Sequence, residues 1–408
     1  MAALQVWIDE TLIGTLTQYL DCSEAFEFAS TYLSTPPNDR PVLGQLFEDR
    51  LPSAIQVGGP IGWFDHLLPQ GALRKWQASN LEVSESDSFE LLAALGDDLP
   101  GAVRLRSPRH PATPASPSFH SSQSVKKLTD LRLKFSLAGM QWKLSARSNA
   151  SGLTVRGSDG DQAVIVKFEA PGYLQIPRVE TATMAWAERF GISIPKCGLR
   201  NASEFDELPD GLPIGEGDIF VIERFDRSLN KGRVNRIHME DFAQILDRPL
   251  GNAIYDGSYE MIAKIIAVLC PQDLMELFRR VVFSVCCGNG DAHLKNFSLQ
   301  YLEGRRARLS PGYDLVATAI YGDKDLALDL GGSKDWMITN ERFDQLIQLL
   351  RLEPSIQANL ISGMLQRAGE TFLEIQSQYP DWHRNQLLRH FERVPLLKPL
   401  HDLIIRQN

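Results

Sequence analysis

The sequence predicts an α+β fold in two lobes, the first rich in strands and the second helical, preceded by a small α/β domain. Two observations carry this prediction. Short apolar strands crowd the chain before residue 238 and amphipathic helices follow it, while a Pro- and Ser-rich segment interrupts the chain at 107–124. At roughly 150 residues per domain, 408 residues allow two or three domains. The 43% hydrophobic and 23% charged composition excludes wholesale disorder.

The N-terminal domain is predicted to span residues 1–106. Leu4, Val6 and Ile8 alternate with polar neighbours, which is typical of a strand with one buried face, and residues 12–16 are expected to return as a second strand. A short helix is expected at 89–95. The segment that follows, 107–124, holds four prolines and six serines with one large apolar residue, and it is predicted to be a flexible linker or loop.

Residues 125–237 are predicted to form the strand-rich lobe. Three strands and one helix are expected in it, the strands at 131–137, 163–168 and 220–225 and the helix at 178–190. Ala182, Trp186 and Phe190 lie on one face of that helix, and Gly191 is its expected end.

Residues 238–408 are predicted to form the helical lobe. Pro271 begins a helix whose Leu277, Val281 and Val285 share a face, and this helix is expected to end at Gly288.

Charge and cysteine content exclude several classes of protein. The net charge of −9 argues against a nucleic-acid surface over the whole chain. Five unevenly spaced cysteines without a CxxC pair argue against a disulfide framework or a zinc module, and they fit a reducing compartment. The N-terminus has no signal-peptide pattern, and the apolar stretch 261–270 is too short to cross a bilayer. We therefore expect a cytoplasmic protein without membrane association.

The segment after the helix that begins at Pro271 contains several side chains typical of catalytic sites. Gly288, Asn289 and Gly290 are followed by an Asp, a His, a Lys and an Asn, and then by an apolar strand. Phosphoryl transfer requires an Asp that accepts the proton of the substrate hydroxyl, an Asn that holds a metal ion and a cation near the moving phosphate. Asp291 and Asn296 have the separation found in protein-kinase catalytic loops, and Lys295 is the predicted cation. The alternative is a polar loop whose side chains only cap turns.

Three further residues fit the same chemistry. Asp314 follows Asn296 by eighteen residues, where a kinase places its second metal ligand. Lys167 ends a β-branched strand, and its charge needs a partner because an unpaired buried charge is expensive. Glu180, thirteen residues later in a helix, is the predicted partner. The alternatives are that Asp314 belongs to a simple turn and that Lys167 is a solvated edge-strand charge.

Seven segments carry a resemblance to a known family. Five of them occur in the order 135–143, 164–167, 223–227, 291–298 and 313–314, and two more lie in the N-terminal domain at 65–69 and 101–103. Together they resemble the HipA-family serine/threonine kinases, the toxin components of bacterial type II toxin–antitoxin modules. The resemblance spans nearly the whole chain apart from 107–124. It implies a bilobal protein-kinase-like fold with a small N-terminal α/β subdomain.

The resemblance assigns catalytic roles to five residues. It implies that Asp291 is the catalytic base, that Asn296 and Asp314 bind Mg²⁺, and that Lys167 contacts the ATP phosphates with Glu180 as its partner. Further ATP contacts are implied for Glu223, Arg224 and Phe225 at the adenine, for His293 and Tyr313, and for the loop over the phosphates formed by Ala138, Gly139, Met140, Gln141, Trp142 and Lys143. Trp142 departs from the family, which usually has an acidic residue at this position.

The resemblance also implies regulation and partners. Ser136 matches the position of autophosphorylation, which ejects the phosphate loop and stops ATP binding. A phosphoserine would place about −1.5 to −2 charges beside a site that binds phosphate. The implied substrate is a protein, in known family members an aminoacyl-tRNA synthetase, whose phosphorylation stalls translation and growth. The implied partner is a small helix-turn-helix antitoxin similar to HipB, through which operator DNA is bound.

Two other functions are compatible with these residues. One is a catalytically weak kinase-like binding module that acts with a DNA-binding antitoxin in operon autoregulation. The other is a small-molecule kinase of the aminoglycoside or choline type, although the segment 223–227 and the separate N-terminal domain speak against it. Retention of Lys167, Asp291, Asn296 and Asp314 favours an active protein kinase, because the loss of any one costs orders of magnitude in rate.

Overall fold

The computed structural model describes residues 1–108, 142–149, 152–154, 163–208, 212–230 and 233–407. Ser136, residues 138–141 of the predicted phosphate loop, the predicted strand at 131–137 and most of the segment 107–124 lie outside the described residues.

The N-terminal domain is a five-stranded antiparallel sheet with short helices. Its elements are β1 (Ala2–Ile8), β2 (Thr11–Gln18), β3 (Glu24–Phe28), α1 (Ser30–Ser34), α2 (Gln45–Glu48), β4 (Ile55–Val57), α3 (Gly62–Asp65), α4 (Gly71–Asn80), α5 (Ser88–Leu95) and β5 (Val103–Arg106). The strand order is β4-β3-β2-β1-β5. Leu4, Val6 and Ile8 are buried, so the predicted strand with one buried face is confirmed, as are the strand after it and the helix α5.

The strand-rich lobe is built around a six-stranded sheet with the order β10-β7-β6-β8-β11-β9. Its elements are β6 (Lys143–Asn149), β7 (Gly152–Thr154), β8 (Val164–Lys167), α6 (Ile176–Phe190), β9 (Cys197–Asn201), β10 (Phe205–Glu207), β11 (Asp218–Glu223), β12 (Arg227–Asn230) and β13 (Arg233–Arg236). The central strand β8 pairs with β6 on one side and β11 on the other. The predicted strands at 163–168 and 220–225 and the predicted helix at 178–190 are confirmed. Gly191 ends α6 in the left-handed conformation, at φ 106°.

The second lobe is mainly helical. Its elements are β14 (His238–Asp241), α7 (Phe242–Ile245), α8 (Tyr259–Leu269), α9 (Leu274–Cys287), β15 (Ser298–Glu303), β16 (Arg306–Leu309), β17 (Asp325–Leu330), β18 (Ser333–Asp335), α10 (Asp344–Leu350), α11 (Pro354–Ile375), α12 (Asp381–Arg393) and α13 (Lys398–Gln407). The helix predicted to begin at Pro271 opens with a 3₁₀ turn and continues as α9. The sequence did not predict β17 and β18, a short hairpin whose strands contain acidic residues that disfavour strands.

One hydrophobic core joins the two lobes. Trp186 on α6 is completely buried, and its ring centroid lies 5.0 Å from those of Phe283 on α9 and Phe372 on α11. Burying a side chain of this size contributes about 2–3 kcal/mol, so α6 is held firmly against the helical lobe. Among the described residues, no helix is both long and apolar enough to span a bilayer.

Candidate functional site

The predicted catalytic loop, residues 288–298, is fixed by the elements at its two ends. Gly288 ends the buried helix α9 at φ 69°, and a Cβ there would lie 2.9 Å from the Ala319 side chain, so glycine is required. Within the loop, the Asp291 amide donates to Asn289 Oδ1 at 3.0 Å, and Asn296 Nδ2 donates to the Asp291 carbonyl at 2.7 Å. The second bond engages the amide nitrogen of Asn296 and leaves Oδ1 as the acceptor atom of the Asn296 side chain.

Lys167 lies at the centre of a buried charge cluster. Its ammonium pairs with both Glu180 and Asp314, as the sequence predicts for Glu180. Lys167 is 5% exposed and Glu180 is completely buried, whereas the Asp314 side chain is 28% exposed. Burial raises the pKa of Asp314, but the Lys167 and Lys143 ammonium groups outweigh it and hold that pKa at about 2. Asp314 is therefore ionised at neutral pH.

Asp314 has an unusual backbone conformation for a residue with a side chain. Its φ is 53°, in the left-handed region that L-residues rarely adopt. The Lys167 ion pair holds its side chain, and Asn289 Nδ2 donates to its carbonyl at 3.3 Å. Such local strain at a polar cleft is typical of a functional residue.

The Asp291 carboxylate is oriented by a residue that the sequence analysis missed. The Tyr255 hydroxyl donates to Asp291 Oδ1 at 2.9 Å. Burial, Asp323 and Asp314 raise the pKa of Asp291 to about 7, against the opposing effects of Tyr255 and Lys143. Tyr255 precedes Asp291 by thirty-six residues and Asp323 follows it by thirty-two, and neither belongs to a motif that could have revealed it.

Lys143 supplies a second positive charge to this cleft. It pairs in register with Lys167 across β6 and β8, and its side chain is exposed. Its ammonium lowers the pKa values of both Asp314 and Asp291. Trp142, the neighbouring departure from the family pattern, is 6% exposed and packs its ring against Trp76 of the N-terminal domain at a centroid distance of 5.9 Å.

The ammonium of Lys295, the predicted cation near the moving phosphate, has three contacts within the protein. It is 3.0 Å from Asp241 Oδ2, 2.9 Å from the His66 carbonyl and 3.2 Å from His66 Nδ1. An ammonium has three protons, and these three contacts account for them. The sequence did not predict the contacts with His66, because His66 lies in the N-terminal domain and no local pattern places that domain beside this loop.

The predicted adenine-binding residues also have other partners. The Glu223 amide donates to the Lys196 carbonyl at 2.8 Å, and the Arg224 amide donates to the Ala163 carbonyl at 2.7 Å. These two amides are thus engaged in the sheet and are not free for adenine. The ring of Phe225 packs against Tyr313 at a centroid distance of 5.1 Å.

Arg224 joins a charge cluster that holds the N-terminal domain. Arg224 and Arg227 both pair with Asp226 and with Asp98 of that domain. Arg227 also donates to the Gly101 carbonyl at 2.9 Å, and the Gly101 amide donates to Asp226 Oδ2 at 2.8 Å. The segment 223–227 therefore links domains, a role that its sequence did not indicate.

Tyr313 and His293 support the catalytic loop. The Tyr313 hydroxyl donates to the Lys295 carbonyl at 2.7 Å and lies 2.5 Å from Ser298 Oγ. His293 is buried edge-to-face against Tyr255 at 5.2 Å, and burial lowers the pKa of its imidazole to about 4. His293 is therefore neutral at physiological pH.

The polar side chains of this cleft suit a metal ion that arrives with a nucleotide. Asn296 and Asp314 offer oxygen ligands, which Mg²⁺ prefers, and Mg²⁺ usually binds one or two carboxylates together with substrate phosphates. Among the residues that the structure describes, no cluster of three or more His, Cys, Asp or Glu side chains could form a metal cage without a nucleotide.

The fold and the cleft define a bilobal kinase-like protein with an additional N-terminal domain. A solved structure with the same fold is HipA of Shewanella oneidensis MR-1, in a complex with HipB and its operator DNA. It superposes with a TM-score of 0.72, covers 98% of this chain and 99% of that chain, and is 21% identical. The predicted kinase-like α+β fold is thereby confirmed.

The sequence matches two HipA domain families, the HipA N-terminal domain over residues 4–106 and the HipA-like C-terminal domain over residues 135–374. The chain belongs to the HipA family. The Sinorhizobium fredii protein "Putative kinase Y4dM" is 34% identical over 333 residues, 79% of each chain. The serine/threonine-protein kinase toxin HipA of S. oneidensis is 26% identical over 291 residues, 63% of each chain.

Proposed function

We propose that this protein is an ATP-dependent serine/threonine protein kinase that acts as the toxin of a HipBA-like module. The observation that carries the proposal is one connected set of contacts that contains Lys167, Asp291, Asn296 and Asp314. Lys167 pairs with Asp314, Asn296 bonds the Asp291 carbonyl, and Asn289 bonds both Asp314 and Asp291. Kinase-named relatives and the S. oneidensis toxin support it.

Asp291 is the group that accepts the proton of the substrate hydroxyl. A base works best when its pKa is near the working pH, and the pKa of about 7 fits that requirement. The Tyr255 hydroxyl engages Oδ1 and fixes the carboxylate, which leaves Oδ2 for the substrate. Lys143 and Lys167 place positive charge where phosphate oxygens would lie.

Asn296 and Asp314 are the residues that would hold Mg²⁺ with ATP. The bound ion would neutralise part of the phosphate charge. Glu180 keeps Lys167 charged and in place through a buried ion pair, so that its ammonium is positioned before the nucleotide arrives.

The proposed substrate is a cytoplasmic protein, an aminoacyl-tRNA synthetase, whose phosphorylation inhibits translation and growth. Autophosphorylation at Ser136 is proposed as the self-inactivating step. The proposed partner is a HipB-like helix-turn-helix antitoxin that carries the protein to operator DNA. The S. oneidensis complex of HipA with HipB and operator DNA supports this partner.

Incubation of the unphosphorylated protein with labelled ATP and Mg²⁺ tests the proposal. We expect label on Ser136 and its loss in Asp291→Asn, because the variant lacks the proton acceptor. Asp325→Asn, which neutralises an exposed carboxylate on β17, is the matched control and should keep the label. A folded wild-type protein that binds ATP but transfers no label to itself or to synthetases would contradict the kinase assignment and favour the binding module.

A further inference from the structure

We propose that the N-terminal domain positions the catalytic loop through His66, which holds the Lys295 ammonium together with Asp241. The inference rests on the function proposed above, because it assigns a positioning residue to the same site. His66 belongs to the segment 65–69 that the sequence analysis singled out and to which the proposed function gave no role.

The contacts of His66 reach the loop directly. Lys295 Nζ donates to the His66 carbonyl at 2.9 Å and lies 3.2 Å from His66 Nδ1. The third contact of the ammonium is with Asp241 Oδ2 at 3.0 Å. The Lys295 side chain is 18% exposed, so this charge is largely removed from water and depends on these partners.

The imidazole ring is fixed on its other side as well. His66 Nε2 lies 2.6 Å from the Arg248 carbonyl, which can only accept a hydrogen bond. Nε2 is therefore the protonated nitrogen, and Nδ1 is left as the acceptor that Lys295 requires. With both ring nitrogens engaged and the side chain buried, the ring holds one orientation.

The segment around His66 is held against the helical lobe by a second set of bonds. His66 follows α3, and Gln244 Nε2 donates to the carbonyl of Trp63 in that helix at 3.0 Å. Asp241 caps α7 by accepting from the Gln244 amide at 2.9 Å. The two partners of the Lys295 ammonium therefore belong to one rigid junction between α3 and α7.

Lys295 connects this junction to the catalytic residues through its backbone. It immediately precedes Asn296, whose Nδ2 donates to the Asp291 carbonyl at 2.7 Å. The Lys295 carbonyl accepts from the Tyr313 hydroxyl at 2.7 Å. Lys295 is thus held at its backbone by Tyr313 of the helical lobe and at its ammonium by His66 of the N-terminal domain together with Asp241 of the helical lobe.

His238 provides a matched comparison at the same domain junction. It is a buried histidine whose Nε2 lies 2.9 Å from the Leu43 carbonyl of the N-terminal domain. Within the described part of the chain, its side chain forms no hydrogen bond with residues 288–298, and its ring stacks on Tyr301. If both histidines only stabilised the domain junction, variants of His66 and His238 would affect phosphate transfer equally. If His66 positions the loop, only the His66 variants should slow phosphate transfer.

Three variants of His66 test the roles of its two ring nitrogens separately. The Asn side chain places an acceptor near the position of Nδ1, the Gln side chain places a donor near the position of Nε2, and Ala provides neither. We expect His66→Ala to lower kcat about 10- to 100-fold with the KM for ATP changed less than about twofold, because a small misplacement of catalytic groups has effects of this size. His66→Asn should recover most of kcat and His66→Gln little, while His238→Ala should change kcat less than about threefold.

Hydrogen exchange of the full chain gives a second readout that does not require activity. We expect faster amide exchange over 289–297 in His66→Ala and His66→Gln than in the wild type, and wild-type exchange there in His238→Ala. Equal kcat values in His66→Ala and the wild type, equal losses in His66→Ala and His238→Ala, or unchanged exchange over 289–297 would each overturn the inference. If the wild type itself transfers no phosphate, the proposed function fails, and the exchange comparison still decides whether His66 positions the loop.

Discussion

Two charge clusters of this protein differ in where their positive charges lie. Around Arg224, two guanidinium groups face the two carboxylates of Asp226 and Asp98, so the cluster at the domain junction is neutral. Around Lys167, one buried ammonium pairs with the two carboxylates of Glu180 and Asp314, and the balancing positive charge is that of the exposed Lys143, which acts on Asp314.

This difference separates the cluster that joins two domains from the cluster at the proposed nucleotide site. Arg224 and Arg227 have side-chain exposures of 6% and 1%, and each forms ion pairs with both Asp226 and Asp98. The carboxylates Asp98 and Asp314 are similarly exposed, at 30% and 28%, so the contrast lies in the cations: both guanidinium groups are buried, whereas Lys143 is exposed. Buried guanidinium groups that are already paired offer little to a ligand, whereas the Asp314 carboxylate, which shares its one buried ammonium with Glu180, suits a cation that enters with a nucleotide.

The largest expected effect on stability is at the neutral cluster. Asp226→Asn leaves two buried guanidinium groups with Asp98 alone, and removal of one member of a buried charge network costs about 3–5 kcal/mol. We expect a loss of this size in the free energy of unfolding from urea denaturation. A loss below about 1 kcal/mol, within the range of exposed pairs, would show that the cluster does not hold the N-terminal domain.

Asp314→Asn should have a smaller effect on stability and a larger one on function. The Lys167–Glu180 pair remains balanced, and asparagine tolerates the left-handed backbone. Because the pKa of Asp314 is lowered to about 2, its charged form stabilises the folded protein, and its loss should cost roughly 2 kcal/mol at pH 7.

Nucleotide binding provides the second measurement on Asp314→Asn. We expect the Mg²⁺ dependence of ATP binding in calorimetry to disappear in this variant and to persist in Asp226→Asn at a temperature where that variant is folded. Mg²⁺-dependent binding that survives in Asp314→Asn would break the distinction between the two clusters.

Acidification tests the domain junction at His238. Burial lowers the pKa of its imidazole to about 4, so the unfolded chain takes up the proton first as the pH falls below about 6.5. The contribution of His238 to stability is complete above pH 6.5 and is lost as the pH falls toward 4.

The His238→Gln variant isolates this contribution. Between pH 7.5 and pH 5, the wild type should lose about 1–2 kcal/mol more stability than the variant. The subtraction is needed because burial raises the pKa of the nearby Glu240 to about 7, which acts in the opposite direction over the same range. Parallel pH profiles of the two proteins would contradict the burial of a neutral His238.

The smallest expected effect concerns the contact between Trp76 and Trp142. Their rings meet edge-to-face at 77°, and a double-mutant cycle with Trp76→Leu and Trp142→Leu should give a coupling energy of about 0.5–1.5 kcal/mol. A coupling near zero would mean that Trp142 is held by the strand-rich lobe alone.

Local sequence determined the elements and the chemistry of the cleft. The alternation in β1, the β-branched run of β8 and the apolar face of α9 each specify their own structure, because side-chain periodicity is a local property. The same holds for the catalytic loop, in which Asp291 and Asn296 are close in sequence and contact each other through one hydrogen bond. The Lys167–Glu180 pair was also predictable, since a buried ammonium requires a nearby carboxylate.

Only the tertiary structure decided which charges face the cleft and which join the domains. Lys295 and Arg224 lie in motifs typical of the site, yet His66, Asp241 and Asp98 bind them, and these partners are distant in sequence. Tyr255 reaches Asp291 for the same reason. A side chain's residue type fixes what it can bind, but its partner is fixed by the packing of elements that no local pattern encodes.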